Sequence, residues 1–243
     1  MSKVTRIYTF GLARTSVAET LAALVRPPES NTVPGLIHAE CMTLMQLGLP
    51  ILSPSRIQFR NLSMFAAWES EEAIEDFLSK SRLGQAIASG WHLRMSFLRK
   101  WGSVKEFADL PEEVGPFDPF APVAVYTLAR LRIPEAPRFI RWGKPVEELV
   151  RDSPDATLAL AAIRFPRSVA TFSIWNSLQA MTDMVQGHSA VDRPDRHLIA
   201  MKERDRRNFH REFTTLRFKP ISEHGIWNGS NSYVIRSDQV QKS

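Results

Sequence analysis

The chain has 243 residues, of which 44% are hydrophobic and 23% are charged, and this balance excludes a wholly disordered, collagen-like or coiled-coil protein. No run of about 18 apolar residues occurs, so we expect no transmembrane helix. The single cysteine, Cys41, excludes an internal disulfide framework and a cysteine-based zinc site. The first residues show no signal-peptide pattern, so a cytoplasmic location is expected, with peripheral membrane contact left open.

The formal net charge is +5, and the excess of basic residues lies in the second half of the chain. A basic helix face can bind nucleic acid, an anionic membrane or an anionic cofactor. Acidic residues lie among the basic ones, and no helix-turn-helix, zinc-finger or RNP motif accompanies them, so we expect no nucleic-acid partner. The basic residues concerned are Lys202, Arg204, Arg206, Arg207 and Arg211.

The first half of the chain predicts strands at residues 4–10, 64–70 and 92–101. A mixed apolar and polar stretch at 15–25 follows the first strand. The run at 64–70 ends in Trp-x-Ser, and the hydroxyl of Ser70 can cap a following helix. Apolar residues recur at helical spacing over 73–78, which predicts that helix. Residues 47–54, with two prolines and a glycine, form an insertion.

Residues 111–122 contain four prolines and predict a linker between two similar halves. The run at 123–128 resembles the first strand, and the run at 171–177 resembles 64–70, again ending in Trp-x-Ser. Apolar residues at helical spacing follow over 178–185. Residues 196–216 predict a long helix and 213–219 an extended segment, so these two predictions overlap over 213–216.

Each half therefore predicts the order strand–helix–strand–strand–helix–strand, which is that of a ferredoxin-like unit. We predict an α+β fold of tandem ferredoxin-like repeats that form an intramolecular α+β barrel. The repeats occupy residues 1–110 and 123–228, joined by the linker at 111–122 and followed by a C-terminal tail at 229–243. Six aromatic residues are expected near the barrel interior: Tyr8, Phe65, Trp68, Tyr126, Phe172 and Trp175.

Six histidines are present, and His197 lies near the start of the predicted 196–216 helix. On that helix, residues at offsets of 4, 7, 11 and 14 share one narrow stripe with it. An imidazole with basic neighbours suits a haem, because one ring nitrogen can bind iron and arginines can pair with the propionates. A surface histidine on a charged helix is the alternative. The stripe consists of His197, Met201, Arg204, Asn208 and Arg211.

Several motifs resemble those of the spheroidene monooxygenases, a family of haem-containing, carotenoid-oxygenating enzymes of the dimeric α+β barrel class. Residues 170–181 are similar to the signature of its second half. A histidine, an aromatic residue, a glutamate and an Arg-x-aromatic pair keep its spacing at His197, Phe209, Glu212, Arg217 and Phe218. The closing Gly225-Ile226-Trp227 and the segment 117–122 are also similar.

The resemblance implies a haem b cofactor with His197 as its axial ligand. His188 is an alternative ligand, because the loop over 187–195 looks longer than in the family. Met201, Arg204, Asn208 and Arg211 are the further cofactor-binding candidates on the stripe, and Phe172 and Trp175 complete the set.

The sequence leaves three functions open. The first is a haem-dependent monooxygenase, or a related haem enzyme, that acts on an apolar small molecule and receives electrons from an external donor. The second is a haem-dependent dehydratase of the aldoxime type. The third, from another class, is a cofactor-free α+β barrel that binds an apolar ligand. A homo-oligomer is compatible with all three.

Overall fold

The computed structural model describes residues 6–50 and 53–235. Its elements follow the order strand, helix, strand, strand, helix, helix, strand, and this order then occurs a second time. The elements are β1 (Ile7–Arg14), α1 (Val17–Val25), β2 (Leu36–Met45), β3 (Ile57–Trp68), α2 (Glu71–Lys80), α3 (Arg82–Ala88), β4 (Trp91–Ser103), β5 (Val123–Leu131), α4 (Ala136–Arg151), β6 (Ala156–Arg164), β7 (Ser168–Trp175), α5 (Leu178–Val185), α6 (Arg196–Arg206) and β8 (His210–Gly225).

The strands hydrogen-bond in the order β1-β3-β2-β6-β7-β5-β8-β4, and the sheet closes as a barrel. The predicted fold class, an α+β barrel, is therefore confirmed. The predicted boundaries of the two repeats, the linker and the tail stay predictions. No helix in the described part of the chain is long and apolar enough to cross a membrane.

The two predicted Trp-x-Ser helix caps are confirmed. The hydroxyl of Ser70 accepts the backbone N–H of Ala73 at 3.3 Å at the start of α2. The hydroxyl of Ser177 accepts the backbone N–H of Ala180 at 3.0 Å at the start of α5. Each bond satisfies one of the backbone donors that a helix start leaves without a partner, so the short motif defines where both helices begin.

The chain divides into two units, and the first comprises the described residues of 1–44, 57–97 and 218–232. Here β1 pairs antiparallel with both β3 and β4. On one face of the sheet, Trp68 donates its indole N–H to the hydroxyl of Thr9 at 2.9 Å and packs against Phe77 of α2. On the other face, the rings of Tyr8 and Phe65 lie 6.1 Å apart.

Six aromatic residues were expected near the barrel interior, and two of them, Trp68 and Trp175, lie instead on the opposite face of the sheet, against helices. Phe65 and Trp68 are three residues apart in β3, and Phe172 and Trp175 are three apart in β7. Side chains alternate along a strand, so the members of each pair point to opposite faces. Trp68 packs against α2, and Trp175 packs against α4 and α5.

The second unit comprises the described residues of 45–56, 98–217 and 233–235. In this unit β7 lies between β5 and β6 and pairs antiparallel with both. The helices α4 and α5 cover one face of these strands, where Leu149, Met181 and Met184 pack against Trp175 and Val123.

The helix predicted over 196–216 is too long, because α6 ends at Arg206. Arg207 is extended, and the side-chain oxygen of Asn208 accepts the backbone N–H of His210, the first residue of β8, at 2.9 Å. The buried positions 214, 216 and 218 then alternate, which is the period of a strand. The predicted extended segment at 213–219 is therefore confirmed.

His92 of β4 is a buried histidine in the first unit. Its side chain is 5% exposed, and its ring stacks on that of His224 with centroids 4.8 Å apart. Neither ring nitrogen has a hydrogen-bond partner among the described residues. The pKa of His92 is lowered to about 4, chiefly by burial and also by the charges of His224 and Arg94, while the Glu75 carboxylate acts in the opposite direction.

We expect His92 to make the stability of the protein depend on pH. Its pKa in the folded state lies below the value of about 6.5 for an unfolded chain, so protonation favours unfolding. This contribution to stability is complete above about pH 6.5 and is lost as the pH falls towards about 4. Urea unfolding of wild type and His92→Gln at pH 7.5, 6 and 5 should show a shallower loss in the variant. Equal losses over this window would contradict the prediction.

Candidate functional site

A cavity of about 580 Å³ lies in the second unit, between the sheet and the helices α4, α5 and α6. Its size falls within the range of small-molecule binding sites, about 300–1,000 Å³. Most of the lining is apolar, and polar groups are few. The half-exposed Trp101 of β4 and the exposed Leu198 of α6 line it where it meets solvent.

The cavity exists because small side chains line neighbouring strands of the sheet. Ala161 of β6 and Thr127 of β5 both lie directly opposite Thr171 of β7, so these three residues form a row across one face. Ala159 and Ser173 form a second pair of small residues beside that row. A position with little side-chain volume leaves a void unless its surroundings collapse onto it. The layered packing of helices on strands prevents that collapse here.

His197 lines the cavity from the first turn of α6. Its Nδ1 is buried and has no hydrogen-bond partner among residues 6–50 and 53–235. Burial lowers the pKa of His197, the backbone of Val185 acts in the opposite direction, and the charge of Arg204 lowers it further. The imidazole is therefore neutral near pH 7, and the neutral form is the one that binds a metal.

His210 also lines the cavity, and the sequence did not single it out. Its side chain is 4% exposed, and within the described chain neither ring nitrogen has a hydrogen-bond partner. Its ring centroid lies 4.5 Å from that of Phe209, 4.8 Å from Phe213 and 5.7 Å from Phe139. Burial lowers the pKa of His210 to about 4.

The predicted helix over 196–216 explains why His210 was missed. Thirteen residues along a helix correspond to more than three and a half turns, so His210 would point away from His197. In the structure the helix ends at Arg206, and β8 runs back along the sheet from His210. The change from helix to strand brings both imidazoles to one cavity. The alternation of apolar and basic residues over Leu216-Arg217-Phe218-Lys219 was the sequence signal that could have revealed the strand.

The other predicted site residues divide into two groups. Met201, Arg204, Phe172 and Trp175 line the cavity together with His197. Asn208, Arg211 and the alternative ligand His188 are exposed and do not line it.

Arg204 holds aromatic residues at the cavity wall. Its guanidinium lies 4.5 Å from the ring centroid of Trp101 and 5.1 Å from that of Phe213. Its nearest carboxylate is Asp205 at 3.4 Å. The guanidinium of Arg204 is therefore already engaged in stacking on aromatic rings and in a charge pair.

An ion-pair network joins the start of α4 to the end of α6 and so positions the helix that carries His197. Arg138 of α4 pairs with Glu203 of α6 and with Glu135, and Arg207 also pairs with Glu135. Hydrogen bonds from Arg206 and Arg138 lower the pKa of Glu203 to about 2. At the other end of α6, Arg196 lies 3.9 Å from Glu148 of α4.

The residues of the cavity fit a haem. A haem ligated by histidine takes one axial imidazole, and an apolar pocket and cations near its propionates stabilise its binding. The cavity offers the unpartnered Nδ1 of His197, a mainly apolar wall and nearby arginines. A metal centre held by three or more His, Cys, Asp or Glu side chains is absent from the described residues.

No protein-family model matches the chain. The chain is 27% identical over 169 residues to the spheroidene monooxygenase of Rubrivivax gelatinosus, a match that covers 68% of this chain and 62% of that protein. The chain thus matches less than two thirds of the length of this curated relative. The resemblance predicted from the sequence is confirmed.

Among solved structures, the chain is similar to an aldoxime dehydratase, with a TM-score of 0.53 and 11% identity. The match covers 96% of this chain and 88% of that one. At this level of identity the likeness concerns the fold alone.

Gly143 of α4 offers a test of the cavity, because it lines the space from the interior of a helix. A Cβ atom added there would lie 3.7 Å from the ring of Phe139, which is ordinary van der Waals contact. We expect Gly143→Ala to raise the free energy of unfolding by about 0.5–1 kcal/mol, the cost of a glycine within a helix.

Gly143→Leu should keep that gain and also fill part of the cavity. We therefore expect it to weaken binding of the apolar dye Nile red, while Gly143→Ala binds the dye nearly as wild type does. Urea unfolding and dye fluorescence measure the two effects. Equal dye binding by Gly143→Leu and wild type would show that the cavity is not the apolar site.

Proposed function

We propose that the protein is a haem-dependent, monooxygenase-like enzyme that acts on an apolar small molecule, with haem b held through His197 in the cavity of the second unit. The observation that carries this proposal is a neutral histidine on an apolar cavity wall whose buried Nδ1 has no partner in the described part of the chain. The similarity to spheroidene monooxygenase supports the class of chemistry. Haem would supply the binding and activation of dioxygen, which protein side chains do not provide.

The chain itself has three tasks in this proposal. His197 ligates through a neutral imidazole, and the ion pairs between α4 and α6 fix the helix that presents it. The apolar lining excludes water from the reacting centre and binds an apolar substrate. His210 is neutral near pH 7, so one of its ring nitrogens can donate a hydrogen bond to a bound molecule and the other can accept one.

A monooxygenase places one oxygen atom of dioxygen in the substrate and reduces the other to water, which consumes two electrons and two protons. We propose that an external donor supplies these electrons. The basic residues on and beside α6, among them the exposed Lys202 and Arg211, offer a surface for an acidic redox partner.

The decisive experiment is a hemin titration of the purified protein, followed by its absorption spectrum. We expect wild type to bind hemin one to one with a sharp Soret band. His197→Ala should lose that band, and added imidazole should restore it by replacing the missing ligand. His188→Ala is the matched control: it removes an exposed imidazole outside the cavity and should leave the band unchanged. Circular dichroism checks that both variants fold.

Other outcomes would change the proposal in defined ways. Loss of the band in His188→Ala, with its retention in His197→Ala, would assign iron ligation to His188 instead of His197. Loss in His210→Ala alone would assign ligation to the second cavity histidine. A wild-type protein that takes up no hemin, yet binds Nile red, would favour the cofactor-free barrel.

A further inference from the structure

Two arginines at the cavity are not assigned an individual partner in the function proposed above. Arg217 of β8 and Arg99 of β4 both line the space. Across residues 6–50 and 53–235, the guanidinium of Arg217 makes neither a hydrogen bond nor an ion pair. Arg99 has only a long contact, 3.8 Å, with Glu113, and both of these side chains are half exposed.

The other charged groups at the cavity are already paired. Glu147 accepts two hydrogen bonds from Arg56, at 2.8 and 2.9 Å. Asp205 lies beside Arg204, which also stacks on aromatic rings. The positive charge of Arg217 is therefore the least compensated charge on the cavity wall.

The surroundings of Arg217 make its charge costly. Burial lowers its pKa, the neighbouring charge of Arg99 lowers it further, and only Glu113 acts in the opposite direction. A desolvated cation next to a second cation destabilises a folded chain unless an anion joins them. Such an arrangement at a cavity is typical of a ligand-binding group.

The geometry of the guanidinium indicates which anion it would bind. Its planar fork of donors matches a carboxylate in a bidentate pair. The rest of the wall is mainly apolar, so the body of the ligand has to be apolar too.

We propose that Arg217, with Arg99 beside it, binds the carboxylate of an otherwise apolar occupant of this cavity. Two sources can supply that carboxylate: a propionate of the haem, in which case the inference rests on the proposed function, or the carboxyl end of an apolar substrate. This assignment differs from the sequence-based one, which gave the anion-binding role to Arg204 and Arg211.

The first arm of the test compares hemin with hemin dimethyl ester, whose propionates carry no charge. We expect Arg217→Gln to raise the Kd for hemin about tenfold or more and to change the Kd for the ester less than about twofold, because only hemin loses a charge-assisted pair. Lys219→Gln is the matched control: it removes an exposed positive charge from the same strand, outside the cavity lining, and should leave both Kd values unchanged. Arg217→Lys should recover part of the affinity.

The second arm uses cis-parinaric acid and its methyl ester, which are fluorescent apolar chains with and without a carboxylate. Weaker binding of the acid alone by Arg217→Gln would assign the carboxylate to a substrate. Weaker binding of hemin alone would assign it to a propionate. If Arg217→Gln changes neither hemin nor acid binding relative to the esters, the inference is overturned.

Thermal unfolding without ligand separates binding from folding. Arg217→Gln should unfold at the same temperature as wild type or higher, since it removes a desolvated charge that has no ion pair. A much lower unfolding temperature would show that Arg217 is structural and would overturn the inference. A wild type that takes up no hemin but binds cis-parinaric acid through Arg217 would refute the haem proposal and leave this inference standing.

Discussion

The architecture of the site depends on one packing constraint, the small volume of the side chains that β5, β6 and β7 direct towards the helices of the second unit. The row of Thr127, Thr171 and Ala161 cannot fill the space under α4, α5 and α6. Trp175, two residues beyond Ser173 on the same face, packs tightly against α4 and α5 and closes one end. A tightly packed end beside an underfilled middle produces a defined cavity within an otherwise dense domain.

The cavity contains polar groups that have no partner among residues 6–50 and 53–235. The ring nitrogens of His210 and the Nδ1 of His197 are buried and unpaired within the described residues. Buried polar groups are normally satisfied, so an imidazole that faces a cavity with no partner among the described residues is available to a molecule bound there. Burial keeps both rings neutral near pH 7, which leaves a lone pair available for a metal or a donor group.

Charge is distributed around the cavity in two different ways. Between α4 and α6, acidic and basic side chains pair with one another, so these residues orient a helix and contribute little free charge. On β8, the guanidinium of Arg217 stays without an ion pair among the described residues. Basic residues of α6 therefore orient a helix, whereas Arg217 of β8 keeps a charge at the cavity with which no described residue pairs. The net charge of this part of the chain does not distinguish the two cases.

The sequence by itself determined the fold class, the helix starts at Ser70 and Ser177 and the resemblance to spheroidene monooxygenase. It also identified His197 as a candidate ligand. All of these depend on local patterns. The sequence also contained the three-residue spacing that puts Phe65 and Trp68 on opposite faces of β3, although both were expected near the barrel interior. Only the tertiary structure decided where α6 ends, since a charged segment with helical spacing shows no clear stop before Arg207. That end brings His210 and Arg217 to the cavity and leaves Asn208 and Arg211 outside its lining. His210 and Arg217 lie at the same cavity as His197 because the helix changes to a strand and that strand pairs in the sheet. Local spacing in the sequence cannot predict such contacts.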